Sequence, residues 1–152
     1  MNFVKLGLAS AVLAFSVAVS AFAADRASPD DAKALAEKAA AHFKDVGPEK
    51  AIADFMKADG AYVDRDLFVV TYSPDGKVLS GLIPALIGKD ATSFKDVDGK
   101  EFGKEIIAKA NAEKTGWVEY RMTNPATKKI EPKVSYLIKV GDYVVFVGAY
   151  KS

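Results

Sequence analysis

The residues best suited to bind a small molecule lie mainly in the last third of the chain, where tyrosines and basic residues are set among strand-forming side chains. The candidates are Tyr72, Tyr120, Arg121, Lys133 and Tyr136. Arginine and lysine supply cationic donors for a carboxylate, and tyrosine adds a hydroxyl to an apolar ring. This set predicts recognition of a small organic acid in a pocket with apolar walls.

Strand parity decides which of these side chains share a face of the sheet, because neighbouring residues of a strand point in opposite directions. Arg121 therefore points away from Tyr120, and Trp117 is expected on the face that helices cover. We expect one apolar face to be formed by Val118, Tyr120, Met122, Val134, Tyr136 and Ile138. Each candidate also has a simpler interpretation: Arg121 and Lys133 as solvated surface cations, and the tyrosines as core residues with an accessible hydroxyl.

Neither catalysis nor metal binding is indicated by the sequence. His42 is the only histidine, and its position beside Phe43 is typical of a helix-face residue. The absence of cysteine excludes disulfides, thiolate metal sites and cysteine nucleophiles. Asp96 and Asp98 lack the third acid and the loop spacing of a calcium-binding EF-hand, so a turn that caps the next helix is the better interpretation. We expect no enzyme activity, no metal and no cofactor.

The amino-terminal segment predicts a secretory signal peptide over residues 1–23. Lys5 supplies positive charge, residues 6–19 are largely apolar, and Ala21-Phe22-Ala23 is a cleavage site of the small-x-small type. An uncleaved anchor is the alternative, although a membrane span needs about 20 apolar residues. Residues 24–152 have the size of one domain. We expect a periplasmic protein with no membrane span after cleavage.

The charges nearly cancel, with 21 basic and 20 acidic residues and a formal net charge of +1. Removal of Lys5 with the signal peptide brings the net charge to about zero. The composition therefore predicts no affinity for nucleic acid or for an anionic membrane surface.

Local patterns predict helices first and an antiparallel sheet afterwards. Ser28 and Pro29 begin a long helix that Gly47 ends, Pro48 opens a second, and a third is expected near residues 100–111. Strands are expected near residues 67–73, 77–82, 116–123, 133–140 and 143–149. This order predicts an α+β fold with a five-stranded antiparallel sheet.

The ordered series of segments resembles the single Cache domain of type 2, an extracytoplasmic ligand-sensing module of bacterial receptors. The matching segments are Tyr72-Ser73-Pro74-Asp75-Gly76-Lys77-Val78-Leu79, Pro84-Ala85-Leu86-Ile87-Gly88-Lys89, Asp96-Val97-Asp98-Gly99-Lys100-Glu101-Phe102, Gly116-Trp117-Val118-Glu119-Tyr120-Arg121, Asn124-Pro125, Lys133-Val134-Ser135-Tyr136 and Val147-Gly148-Ala149-Tyr150. The resemblance implies a long amino-terminal helix packed on a PAS-like sheet, with a small ligand, often a short carboxylic acid, between the sheet and its covering loops. Lys133 falls at the family's recurring lysine position. Two departures concern this pocket: Ser80-Gly81 stands where the family often has a histidine, and Met122 where it often has a tryptophan.

Two functional hypotheses follow. The first is an exported, non-catalytic binding protein for a small organic acid or a similar metabolite, which reports to a membrane-bound sensor protein. The alternative is a structural or interaction module with a degenerate pocket, which forms a homodimer through its first helix. The two pocket departures and the absence of an output domain favour the alternative. A small hydrolase is the least supported option, because acid–base machinery is lacking.

Overall fold

The computed structural model describes residues 26–152, so the predicted signal peptide lies outside the described residues. The helices are α1 (Pro29–Val46), α2 (Pro48–Phe55) and α3 (Phe102–Glu113). The strands are β1 (Val63–Asp64), β2 (Leu67–Tyr72), β3 (Val78–Ser80), β4 (Thr115–Thr123), β5 (Ile130–Val140) and β6 (Tyr143–Tyr150). The predicted α+β class is confirmed. Across residues 26–152, no helix combines the length and the apolar character that a bilayer crossing requires.

Helix α1 begins and ends where its caps predict. The Ser28 hydroxyl accepts a hydrogen bond from the backbone N–H of Asp31, and the Asp31 carboxylate accepts one from the Ser28 N–H, which forms a capping box. Gly47 ends the helix at a φ of +84°, a region that favours glycine. One stripe of α1 is buried against the sheet: Ala32, Leu35, Ala36, Ala39, Ala40 and Phe43.

The sheet has the order β1-β2-β6-β5-β4, and β3 pairs with β2 outside this path. All pairings are antiparallel. The structure therefore contains the five predicted strands and a sixth, the two-residue β1. No alternation can be recognised in two residues, which explains why the sequence did not indicate β1.

The two faces of the sheet pack against different layers. On β6, Val145 and Val147 pack against α1 and α2, whereas Val144 and Phe146 belong to a second cluster with α3. This alternation follows from the two-residue period of a strand, and it requires a strand that is apolar on both faces. The second face, on the side of α3, is the one that contains the cavity described below.

The cross-strand register corrects the predicted apolar face. Directly opposite residues of an antiparallel pair share a face, and Tyr120 lies opposite Lys133 while Trp117 lies opposite Tyr136. The prediction that Val134, Tyr136 and Ile138 share the face of Tyr120 is wrong, because these three side chains lie on the α1 side. Within each strand, side chains alternate between the two faces as predicted. The β5 residues that share the face of Tyr120 are Lys133 and Ser135, however, and not Val134, Tyr136 and Ile138.

Candidate ligand-binding cavity

A cavity of about 70 Å³ lies on the α3 side of the sheet. Strands β2 to β6, helix α3 and the loop after β3 all contribute to its walls. The apolar part of the lining includes Phe68, Val70, Val78, Phe94, Phe102 and Phe146. Ile83, which is 40% exposed, also lines the cavity, so one wall is a surface loop.

Strands β4 and β5 bring three polar side chains of the lining together: Tyr120, Lys133 and Ser135. Tyr120 and Ser135 share a hydrogen bond of 2.7 Å between their hydroxyls, and both side chains are buried. Burial raises the pKa of Tyr120 to about 12, and the hydrogen bond to Ser135 opposes that rise. Lys133, directly opposite Tyr120 on the neighbouring strand, is the cationic member of this set.

The position of Lys133 depends on Gly148 of β6. A Cβ atom at residue 148 would lie 2.6 Å from Lys133 Cε and 2.6 Å from Ser135 Oγ. Because residue 148 has no side chain, the aliphatic part of Lys133 can lie over β6 at this position. The Lys133 ammonium lies 4.8 Å from the centre of the Tyr150 ring and 5.5 Å from that of Phe68, both within cation–π range.

The Lys133 ammonium has no carboxylate neighbour at ion-pair distance among residues 26–152. Burial lowers the pKa of Lys133 to about 8, and the more distant charge of Asp66 opposes this shift. A cation surrounded mainly by apolar side chains is costly, and an anion in the cavity would offset that cost.

Tyr72 and Tyr120 are fixed by aromatic contacts within the wall. Tyr120 stacks on Phe102 of α3 with a centroid distance of 4.3 Å and an interplanar angle of 10°. Tyr72 meets Phe146 edge to face at 4.8 Å, and burial raises its pKa. These rings therefore form a rigid apolar surface on which a small guest can pack.

Of the five candidate residues, the structure brings Tyr72, Tyr120 and Lys133 together at the cavity. Tyr136 lies on the other face, where its ring contacts Trp117 at 4.8 Å and packs against the cluster below α1. Arg121 is exposed and forms an ion pair of 3.3 Å with Asp98. Trp117 lies beside Tyr136 on the face that α1 covers, and it is 37% exposed.

Sequence reasoning missed several lining residues, chiefly Ser135 and Gly148. The signal for Ser135 was present, because it has the same strand parity as Lys133. The two departures from the family pattern also lie at this site, since Ser80, Gly81 and Met122 all line the cavity. The Ser80 hydroxyl donates to Thr71 Oγ1 at 2.9 Å and to the Val69 carbonyl oxygen at 3.2 Å, and neither acceptor residue lines the cavity.

The other groups considered for chemistry have structural contacts. His42 Nε2 lies 2.8 Å from Asp54 Oδ2 and its ring stacks on Tyr62 at 4.9 Å. The Asp96 carboxylate accepts backbone hydrogen bonds from Arg121 and Lys100, and it joins the loop before α3 to β4. These bonds lower the pKa of Asp96. Within residues 26–152, no group of three or more acidic or histidine side chains could hold a metal ion.

Helices α1 and α2 on one face of an antiparallel sheet, with a lined cavity and α3 on the other, define a PAS-like α+β domain. The sequence profile of the family described as single Cache domain 2 matches residues 8–152, nearly the whole chain. The chain belongs to the single Cache domain 2 family.

Solved structures with the same fold include sensory proteins. A methyl-accepting chemotaxis protein from Vibrio parahaemolyticus RIMD 2210633 is 20% identical, with a TM-score of 0.66 over 80% of this chain and 86% of its own. A structure described as the structural basis for carboxylic acid recognition by a Cache chemosensory domain is 16% identical. Its TM-score is 0.67, over 81% of this chain and 92% of its own. A periplasmic sensor domain of a chemotaxis protein is 20% identical, with a TM-score of 0.60 over 81% of this chain and 90% of its own.

Proposed function

We propose that this chain is a non-catalytic binding protein for a short organic acid, which occupies the cavity between Tyr120, Lys133 and the loop after β3. The proposal rests on one observation: Lys133 lines an apolar cavity, and its ammonium has no carboxylate at ion-pair distance among the described residues. A ligand carboxylate would supply the missing negative charge, and its alkyl tail would contact the phenylalanine walls.

The volume of the cavity limits the ligand to a few heavy atoms. A buried water needs about 10–15 Å³ of such space, so a cavity of about 70 Å³ corresponds to roughly five waters. An acid with two to four carbons matches that size. The hydroxyl pair of Tyr120 and Ser135 is placed to donate a second hydrogen bond to the carboxylate, because Tyr120 stays protonated at neutral pH.

Thermal unfolding with a panel of short carboxylates, amino acids and amines tests this function. We expect one or more of the carboxylates to raise the melting temperature, since a ligand at a hundredfold excess over its Kd stabilises by about 2.7 kcal/mol. For a domain of this size, that corresponds to a shift of about 10 °C. Lys133→Met should abolish the ligand-induced shift, and Tyr120→Phe should reduce it.

Lys129→Met is the matched control, because Lys129 is exposed at the β4–β5 connection and does not line the cavity. Its ligand-induced shift should equal that of the unmodified protein. If neither cavity variant changes the shift, the site is assigned wrongly. A panel without any hit, together with concentration-dependent dimerisation in sedimentation velocity, would favour the alternative, a structural module with a degenerate pocket that dimerises through α1.

We also propose that residues 1–23 are removed on export to the periplasm and that the bound state is reported to a membrane-bound sensor protein. The amino-terminal composition supports export. The sensory proteins that share the fold support the choice of partner. Intact mass of the periplasmic protein should correspond to residues 24–152. Purification of the tagged protein from solubilised membranes, with and without the stabilising acid, should then yield a ligand-dependent membrane partner.

A further inference from the structure

We propose that Lys133 also captures short aliphatic aldehydes in this cavity by forming a reversible imine. Lys133 lies at the apolar cavity, and its side chain is bordered by aromatic rings and by the Tyr120–Ser135 hydroxyl pair. Amines desolvated in apolar pockets are the usual imine-forming lysines. The inference uses the cavity of the proposed function, but it requires neither an anionic ligand nor a sensory partner.

The covalent step balances with the groups present. The lone pair of the neutral Lys133 Nζ forms a bond to the carbonyl carbon while the C=O π bond breaks, and a proton passes from the nitrogen to the oxygen to give a carbinolamine. The C–O bond then breaks, the hydroxyl takes the second nitrogen proton and leaves as water, and the nitrogen lone pair forms the C=N bond. An amine and an aldehyde thus yield an imine and one water molecule. Tyr120 and Ser135 lie on the same face as Lys133 and can assist the departure of the hydroxyl as hydrogen-bond donors.

Two properties distinguish Lys133 from a surface lysine in this reaction. Its lowered pKa of about 8 leaves roughly a tenth of the side chain neutral at pH 7, about three-hundredfold more than for an unperturbed lysine. The phenylalanine-rich wall also provides contact for the alkyl chain of the aldehyde. A lysine such as Lys129, exposed at a loop, has neither advantage.

Reductive trapping of the folded protein tests the inference. Butanal and sodium cyanoborohydride are added at pH 7, and peptide mapping follows the butylation of Lys133 and of exposed Lys129 in the same sample. We expect Lys133 to react at least about tenfold faster, because part of its larger neutral fraction is offset by restricted access. Equal rates at the two lysines, or a slower rate at Lys133, would overturn the inference. This comparison needs only the unmodified protein.

Lys133→Arg separates imine formation from anion binding. Arginine retains the positive charge but does not form an imine under these conditions, so the variant should keep the stabilisation by a short acid and lose the selective label at residue 133. If acids stabilise the unmodified protein but Lys133 is not labelled selectively, the imine is refuted and the proposed function stands. Selective labelling without stabilisation by any acid would support the imine and refute the proposed acid-binding function.

Discussion

Replacement of Lys133 by methionine should stabilise the ligand-free protein at neutral pH. Methionine has a similar unbranched stem and is apolar, so the substitution removes the charge while most of the packing around Gly148 is kept. Lys133 is half-buried, and lowering its pKa from 10.5 to about 8 corresponds to at most about 3 kcal/mol of unfavourable free energy in the charged folded state. We expect Lys133→Met to gain most of that amount at pH 7.

The gain should depend on pH in a defined direction. Between pH 8 and 10.5 the unfolded chain binds the lysine proton more tightly than the folded one, so the stability of the unmodified protein rises with pH relative to the variant. The advantage of Lys133→Met should therefore fall from about 3 kcal/mol at pH 7 to about 1 kcal/mol at pH 9.5. Titration of the tyrosines affects both proteins equally and cancels in the difference.

Urea unfolding at the two pH values, followed by circular dichroism, measures this difference. The slopes of the two transitions must agree, because a changed slope would indicate a changed denatured state. Lys129→Met again serves as the control and should change stability by less than about 0.5 kcal/mol. A destabilised Lys133→Met protein, or an advantage that does not change with pH, would refute the placement of the ammonium at a desolvated site.

Three further outcomes are expected from the same geometry. The Kd of a stabilising acid should rise about tenfold per pH unit above pH 8 in isothermal titration calorimetry, because only charged Lys133 attracts the carboxylate. Gly148→Ala should destabilise by about 1–3 kcal/mol in urea unfolding and weaken acid binding, since its methyl group would displace Lys133 and Ser135. Arg121→Met should change stability by less than about 1 kcal/mol and leave acid binding unaltered, because its ion pair with Asp98 is solvent-exposed.

The parts of the fold that depend on local chemistry could be predicted from the sequence. Ser28 and Pro29 at the start of α1 and Gly47 at its end each act within a few residues, and the helix they delimit lies where expected. Helix α3 begins about two residues later than predicted, because Glu101 at its start makes no side-chain capping bond that would mark the boundary. Helix ends without such a cap are poorly defined by sequence.

The candidate site could be predicted only in part, because its residues come together through long-range register. Alternation within β4 and β5 shows which residues of each strand share a face, but it does not determine which face of one strand joins which face of the other. If the opposite face of β5 is chosen, Tyr136 is placed on the face of Tyr120 and Lys133 on the α1 side. The connection between the strands, which sets the register, carries no pattern that decides between the two.

The partly desolvated charge of Lys133 lowers the stability of the ligand-free domain. Much of the desolvation of Lys133 is imposed when the protein folds, so an acid that enters the cavity has less water to remove from that ammonium on binding. Under the proposed function, part of the free energy that folding gives up at this position would be recovered as affinity for an anion. A methionine at residue 133 would make the empty domain more stable and remove the charge on which the proposed acid site depends, which is the usual opposition between stability and function at a binding site.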